Sequence, residues 1–243
     1  MLKTERMDRV RAALRAQGLT QMIVCDPKSV WYLTGVAVEP YERLLSLYLP
    51  TEGEPVLFLN RLFNVPEPPC RTVWHTDTDK PVAQIAEVVD AGRPLGIDKE
   101  WPAKFLIPLM EIHPGMQVVL SSDCVDDCRA CKDAEEQTLM REASRINDAV
   151  NEAAKHYIKA GMTEREVAEF IDAQYRAHGC EGPSFTTIVS FGANAADPHH
   201  EPDDTVLKEG DCVLFDMGCV KSRYCSDMTR TWFCGQPTEK QAA

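Results

Sequence analysis

Hydrophobic positions along the chain change rhythm partway. From residue 6 to residue 120, apolar runs of strand length alternate with stretches at helical spacing. Met7, Val10 and Leu14 recur at helical steps and Gly18 follows, which predicts a helix over residues 6–17. Q-M-I-V-C at 21–25 reads as a strand closed by Asp26 and Pro27, and V-W-Y-L-T-G follows at 30–35. Apolar runs at 44–49 and 56–59 flank T-E-G-E-P and predict a hairpin. Three prolines mark 66–70 as a loop, and Val73 and Trp74 make a short strand. Val82, Ile85 and Val88 or Val89 mark a helix ended by Gly92. A buried strand is expected at 95–98, a helix at 105–110 and a strand at 117–120. Strands and helices in alternation predict an α/β domain over residues 1–127.

After a short linker helix at 126–132 the pattern lengthens. Leu139, Ala143, Ile146, Val150, Ala153 and Tyr157 form one stripe from Asp133 onward, ended by Gly161. Thr163 and Glu166 form a capping box that opens the next helix, with Val167, Phe170, Ile171 and Tyr175 inward and Gly179 as the stop. Residues 184–190 read as a β-branched strand, 192–204 as a loop, and 208–211 as a turn. The second domain is expected over 132–243.

Bulk composition narrows the class of protein. The chain has 243 residues, 44% hydrophobic and 26% charged, within the range of ordinary globular domains. A net charge of −12 speaks against nucleic acid or an anionic membrane as partner. No apolar run reaches the roughly 18–20 residues of a membrane span. The N-terminus lacks the apolar core of a signal peptide, so the ten cysteines are expected as reduced thiols in a cytoplasmic protein. Cys124, Cys128 and Cys131 lack a second ligand pair at zinc spacing and fit the apolar positions of a short helix.

Candidate chemistry concentrates at residues 211–233, D-C-V-L-F-D-M-G-C-V-K-S-R-Y-C-S-D-M-T-R-T-W-F. Two strands, 212–216 and 224–233, flank Lys221, Ser222 and Arg223. A hairpin centred between Lys221 and Ser222 puts Asp216 directly opposite Asp227, with Cβ atoms roughly 4.5–5.5 Å apart. Two carboxylates so close repel, and a divalent cation, or a pair, relieves the repulsion. A register slip, or one Asp capping a turn, is the competing reading. Thr229 shares strand parity with Asp227, whereas Arg230 points to the other face and reads as one partner of a structural ion pair. His199, taken alone, is a loop histidine at a turn.

These residues also carry a resemblance. F-D-M-G followed by Y-C-S-D-M-T-R-T resembles the D-x-G…Y-x-x-D-x-T-R-T signature of the creatinase, prolidase and aminopeptidase P family, the pita-bread metallopeptidases. G-A-N-A-A-D-P-H-H-E-P resembles the segment holding that family's active-site histidine. His199, seventeen residues before Asp216, has the matching spacing, and His200 is one place off. R-M-D-R-V-R-A-A-L-R-A-Q-G-L, D-P-K-S-V-W-Y-L-T-G and K-A-G-M-T-E-R-E-V-A are similar to further family stretches.

The resemblance implies a creatinase-type N-terminal α/β domain with a mixed sheet, followed by the first part of an α+β pita-bread catalytic domain. In the family that domain continues past T-R-T to a histidine and two glutamates that bind metal. Here Glu239 is the only acidic residue after the hairpin and no histidine follows, so the chain is expected to be an N-terminal portion of a longer enzyme. The implied activity is metal-dependent hydrolysis of the bond before proline. Asp216 and Asp227 would hold two divalent ions, manganese first and cobalt or zinc as alternatives. His199 would act at the substrate, with Tyr224, Thr229 and Arg230 supporting the site. A proline-containing di- or oligopeptide is the implied substrate, and a homodimer the implied assembly. A metal-free creatinase-type hydrolase and a non-catalytic binding module of the same fold are the alternatives, the first opposed by the aspartate pair.

Overall fold

The computed structural model describes residues 2–239. The chain divides into two compact units, Met1–Cys131 and Lys132–Ala243.

The first unit runs α1 (Thr4–Ala16), β1 (Gln21–Val24), α2 (Pro27–Thr34), β2 (Ser46–Pro50), β3 (Val56–Asn60), β4 (Arg71–His75), α3 (Pro81–Ala86), β5 (Leu95–Ile97), α4 (Ala103–Ile112), β6 (Val118–Leu120) and α5 (Asp123–Ala130). Its six strands form one sheet in the order β4-β3-β2-β1-β5-β6. β1 pairs antiparallel with β2 and parallel with β5, so the sheet is mixed. Both faces are covered, which explains the unbroken apolar runs of β1 and β3. Met22, Val24, Leu57 and Leu59 pack toward Val10 and Leu14 of α1 and Val125 of α5. Ile23, Val56 and Phe58 pack on the other face toward Ile85 of α3 and Leu109 of α4.

Most predicted elements appear near their expected positions. The helix at Val82 is shorter than its pattern, ending at Ala86 rather than running to Gly92. Val88 and Val89 complete it as a turn, bonding back to the Ile85 carbonyl. α2 is capped by Asp26, whose side chain accepts from the Ser29 amide, and closed by Gly35 at φ 75°.

One buried carboxylate ties this unit together. Asp98, 5% exposed, follows β5. Its Oδ2 accepts from the Cys25 and Asp26 amides, and its Oδ1 accepts from Ser122 Oγ and the Glu100 amide. The ends of β1 and β5 and the start of α5 thus share one group.

The second unit contains α6 (Ala134–Tyr157), α7 (Glu164–Ala177), β7 (Gly182–Pro183), β8 (Ile188–Phe191), a 3₁₀ turn at Gly192–Ala196, β9 (Cys212–Met217), β10 (Cys219–Lys221), β11 (Tyr224–Cys225) and β12 (Met228–Phe233). Two three-stranded sheets result, β12-β9-β8 and β11-β10-β7. Both helices open with a full capping box, Asp133 with Glu136 and Thr163 with Glu166. Val167, Ile171 and Tyr175 of α7 pack with Ala143, Val150 and Ala154 of α6 over Val213, Phe215 and Met217 of β9. The buried stripe of α6 differs from the expected one. Asn147, Asn151 and Ala154 are buried, while Tyr157 is 38% exposed and stacks on Phe170. Asn147 is tolerated inside because both ends of its amide are bonded, as described below.

Asp98→Asn is expected to destabilise the first unit by about 3 kcal/mol, because an amide nitrogen would then face N–H donors in a buried place. Urea unfolding of the purified chain measures it.

Candidate functional site

The hairpin at 211–233 forms, but its register differs from the expected one. Asp216 pairs with Thr229, not with Asp227, and Met217 pairs with Met228. The cause lies in the turn. Lys221 pairs with Tyr224, leaving a two-residue loop of Ser222 and Arg223. Their φ values of 49° and 67° mark the type I′ turn, whose twist matches that of the strands it joins. The centre therefore falls between Ser222 and Arg223, one residue beyond the expected position.

The second strand is also interrupted, at Ser226 and Asp227. Register is the same on both sides of the break, so no residue has been inserted. Instead Ser226 uses its side chain where the ladder would use backbone. The Ser226 amide donates to the Cys219 carbonyl, while the Cys219 amide donates to Ser226 Oγ. The Ser226 carbonyl turns aside and accepts from Ser184 Oγ. Gly218 makes this possible, because a Cβ there would collide with the Ser226 carbonyl oxygen and Ser184 Oγ.

Face assignments follow. On β9, Val213, Phe215 and Met217 point to the helices, leaving Asp216 half-buried on the opposite face. Thr229 lies across from it and donates Oγ1–H to Asp216 Oδ1 at 2.8 Å. Asp227 is exposed and lies in the interruption, two residues before Thr229 in the shared register. The two aspartates are therefore diagonal neighbours rather than a facing pair. Diagonal positions stand roughly 7–8 Å apart, a span that two carboxylates can share with cations between them.

The other sequence candidates divide. The Tyr224 hydroxyl donates to Glu136 Oε1. Glu136 is 2% exposed and also accepts from the Asp133 amide in its capping box, so Tyr224 fastens the hairpin to the start of α6. Arg230 is exposed and donates to its neighbour's carbonyl, Thr229 O, and among the described residues the expected ion pair is not formed. As expected, it lies on the other face from Thr229. His199 is exposed in the loop after β8, where its amide donates to Asp197 Oδ1.

Several residues that position the site were not singled out by sequence. Asn147 Nδ2 donates to the Met217 carbonyl at 3.0 Å, and the Tyr175 hydroxyl donates to Asn147 Oδ1 at 2.6 Å. This buried chain anchors β9 beside Asp216, and burial pushes the Tyr175 hydroxyl well above its ordinary pKa. A polar residue inside the α6 stripe was the available signal. Glu164 is wholly buried at the start of α7. Its carboxylate, His200 and Asp203 place ligand-type atoms within 4.8 Å of one another. The hydroxyl and amide of Thr205 hold the Asp203 carboxyl below its usual pKa.

Comparison with known proteins bears on the family. The profile of the Creatinase/Prolidase N-terminal domain matches residues 6–131, and that of Metallopeptidase family M24 matches residues 138–243. The chain belongs to the creatinase/prolidase family. A prolidase from Thermococcus sibiricus superimposes with a TM-score of 0.89 at 30% identity, over 100% of this chain and 68% of that one. The dipeptidase PepE from Mycobacterium ulcerans gives 0.88 at 30% identity, over 98% of this chain and 66% of that one. An uncharacterized peptidase of Staphylococcus aureus is 33% identical over 228 residues, 89% of this chain and 62% of its own length. The chain thus spans about three-fifths of the curated relative's length. Membership in the creatinase/prolidase family fits the mixed-sheet first unit and part of the pita-bread unit seen here. Among the described residues no helix is long and apolar enough to cross a membrane.

Gly218→Ala is expected to cost about 3 kcal/mol, since the new methyl meets backbone that cannot move without unmaking the Ser226 bonds. The midpoint of thermal unfolding of the second unit reads it, with Gly210→Ala, where no atom lies within 4 Å but φ is 87°, as the comparison for backbone strain alone.

Proposed function

We propose that this chain carries the first part of the catalytic machinery of a metal-dependent Xaa-Pro peptidase. Asp216 and Asp227 supply carboxylates for two divalent ions, and manganese is the ion we favour over cobalt or zinc. What supports the reading is the Asp216–Thr229 pair on a register-locked hairpin, with the exposed Asp227 two residues before Thr229, in a chain of the creatinase/prolidase family. Carboxylate oxygens suit such hard cations.

The metals, when bound, would activate a water and polarise the scissile carbonyl. The protein's own groups do the rest. The Thr229 hydroxyl holds one oxygen of Asp216 and so orients the carboxylate. Tyr224 steadies the strand through Glu136. His199, on its exposed turn, donates a hydrogen bond to the substrate or passes a proton at the cleaved bond. Arg230, on the other face, contributes to the strand rather than to the metals. The substrate is a di- or oligopeptide with proline in its second position, and release of the residue before proline follows. A homodimer and a reducing, cytoplasmic setting complete the reading.

Two tests apply. Titration with manganese, followed by its EPR signal, is expected to give weak binding by the 243-residue chain, on the order of 10⁻⁴–10⁻³ M, since two carboxylates leave most coordination positions to water. Asp227→Asn should abolish it, and binding that survives both Asp216→Asn and Asp227→Asn would overturn the assignment. In hydrolysis of an Xaa-Pro dipeptide with added manganese, this chain alone is expected to show no turnover. Turnover that is lost in Asp227→Asn would mean that the two-aspartate site suffices without further ligands.

A further inference from the structure

The loop at 192–204 leaves the core at Phe191 and returns at Thr205, and both ends meet the first turn of α7. The Glu164 amide donates to the Thr205 carbonyl and the Arg165 amide to the Asp203 carbonyl. Beyond this, Thr163 bridges to Val206, and the Leu207 amide donates to the Met162 carbonyl. At the junction sits the Glu164 side chain, 0% exposed.

A carboxylate has about four lone-pair directions. All four of those on Glu164 are used. Oε1 accepts from the Phe191 amide at 2.7 Å and from Asn194 Nδ2 at 3.0 Å. Oε2 accepts from the Asp203 amide at 3.1 Å and from His200 Nε2 at 2.6 Å. The donors come from both ends of the loop and from two side chains within it. Asn194 Nδ2 has a second hydrogen, which goes to Thr205 Oγ1 at 3.1 Å. Its 3.1 Å approach to His200 Nε2 is then a contact between two donors, because Nε2 must carry a hydrogen to bond Glu164.

His199 and His200 therefore have separate roles. The His200 ring, 14% exposed, turns inward to the carboxylate, and His199 beside it faces solvent. We propose that Glu164 and His200 form a clamp that sets the conformation of the His199 loop. On this view Glu164 is a positioning residue that acts through His199, and His200 is its latch rather than a second substrate-facing histidine. The proposal rests on the reading of His199 as the residue that meets substrate. The clamp itself needs no ligand: every acceptor direction of Glu164 already has a protein donor, so a metal at Glu164, His200 and Asp203 would have to displace one.

Amide hydrogen exchange on the intact 243-residue chain, with no substrate or metal, tests it. Glu164→Gln turns one acceptor into a donor facing donors. Exchange at Phe191, at Asp203 and through 192–204 is expected to rise at least tenfold, with β9 and the first unit unchanged. His200→Ala should raise the same segment partway, and His200→Gln, which keeps an N–H near the place of Nε2, should restore protection. The His199 ring resonance should move toward its unfolded position in Glu164→Gln and His200→Ala, and return in His200→Gln. An unchanged loop in both Glu164→Gln and His200→Ala overturns the clamp. So does exchange rising evenly across the second unit, or loop protection that appears only with added zinc or manganese. If Glu164→Gln fails to fold, the His200 pair decides alone. Because exchange is read without turnover or metal, a loop that responds as expected in a chain whose manganese binding survives both Asp216→Asn and Asp227→Asn would retire the functional reading and leave the clamp standing.

Discussion

Between Cys219 and Ser226 a serine hydroxyl stands in for a peptide carbonyl. The substitution lets one long hairpin bend without losing count. β9 and β12 keep the register set by the turn, while β10 and β11 belong to a different sheet with β7. Had the ladder continued straight, the Ser226 carbonyl would have stayed in line and Ser184 would have had no acceptor there. The bend also requires a residue without a side chain at 218, which gives the D-x-G pattern a physical meaning. The aspartate comes two residues before the point where the backbones touch, on the face away from the helices. Asn147 and Tyr175 hold the intervening Met217 carbonyl from the helix side, so the strand is fixed from both faces.

Much of this was legible in the sequence, for reasons of periodicity. Apolar runs gave the strands of the first unit because both sheet faces are buried. The capping box at Thr163 marked a helix start because two side chains at fixed spacing satisfy otherwise orphaned amides, and the box at Asp133 emerged only in the structure. The aspartates stood out because charges are rare in a β-branched run. The pairing of Asp216 was not legible. Choosing between adjacent hairpin centres depends on which two residues accept positive φ, and neither Ser222 nor Arg223 is glycine or asparagine. Glu164 was hidden for another reason. A glutamate just inside a capping box looks like a favourable charge at a helix N-terminus, and only the fold brings a loop about thirty residues later in the chain around it.

The two units solve the same problem differently. In the first, Asp98 gathers donors from β1, from its own turn and from Ser122, and so fixes where strand ends and helices meet. In the second, Glu164 gathers donors from a single loop. Each is a buried carboxylate whose charge is offset by oriented N–H and O–H groups rather than by solvent, an arrangement that is strong when complete and costly when one donor is lost. The difference lies in what is held: a junction of core elements in one case, and an exposed turn bearing an imidazole in the other.

The turn at Ser222 and Arg223 separates two kinds of evolutionary change. Both positions are exposed, and what the turn itself asks of them is a left-handed backbone, which more than one residue type can supply. Its length has no such freedom. Adding or removing one residue would slip the pairing of β9 and β12 by a step and send Thr229 to the face opposite Asp216. In descendants of this sequence, substitutions should accumulate at those two positions while insertions and deletions are purged. The loop looks dispensable by composition and is constrained only by its count.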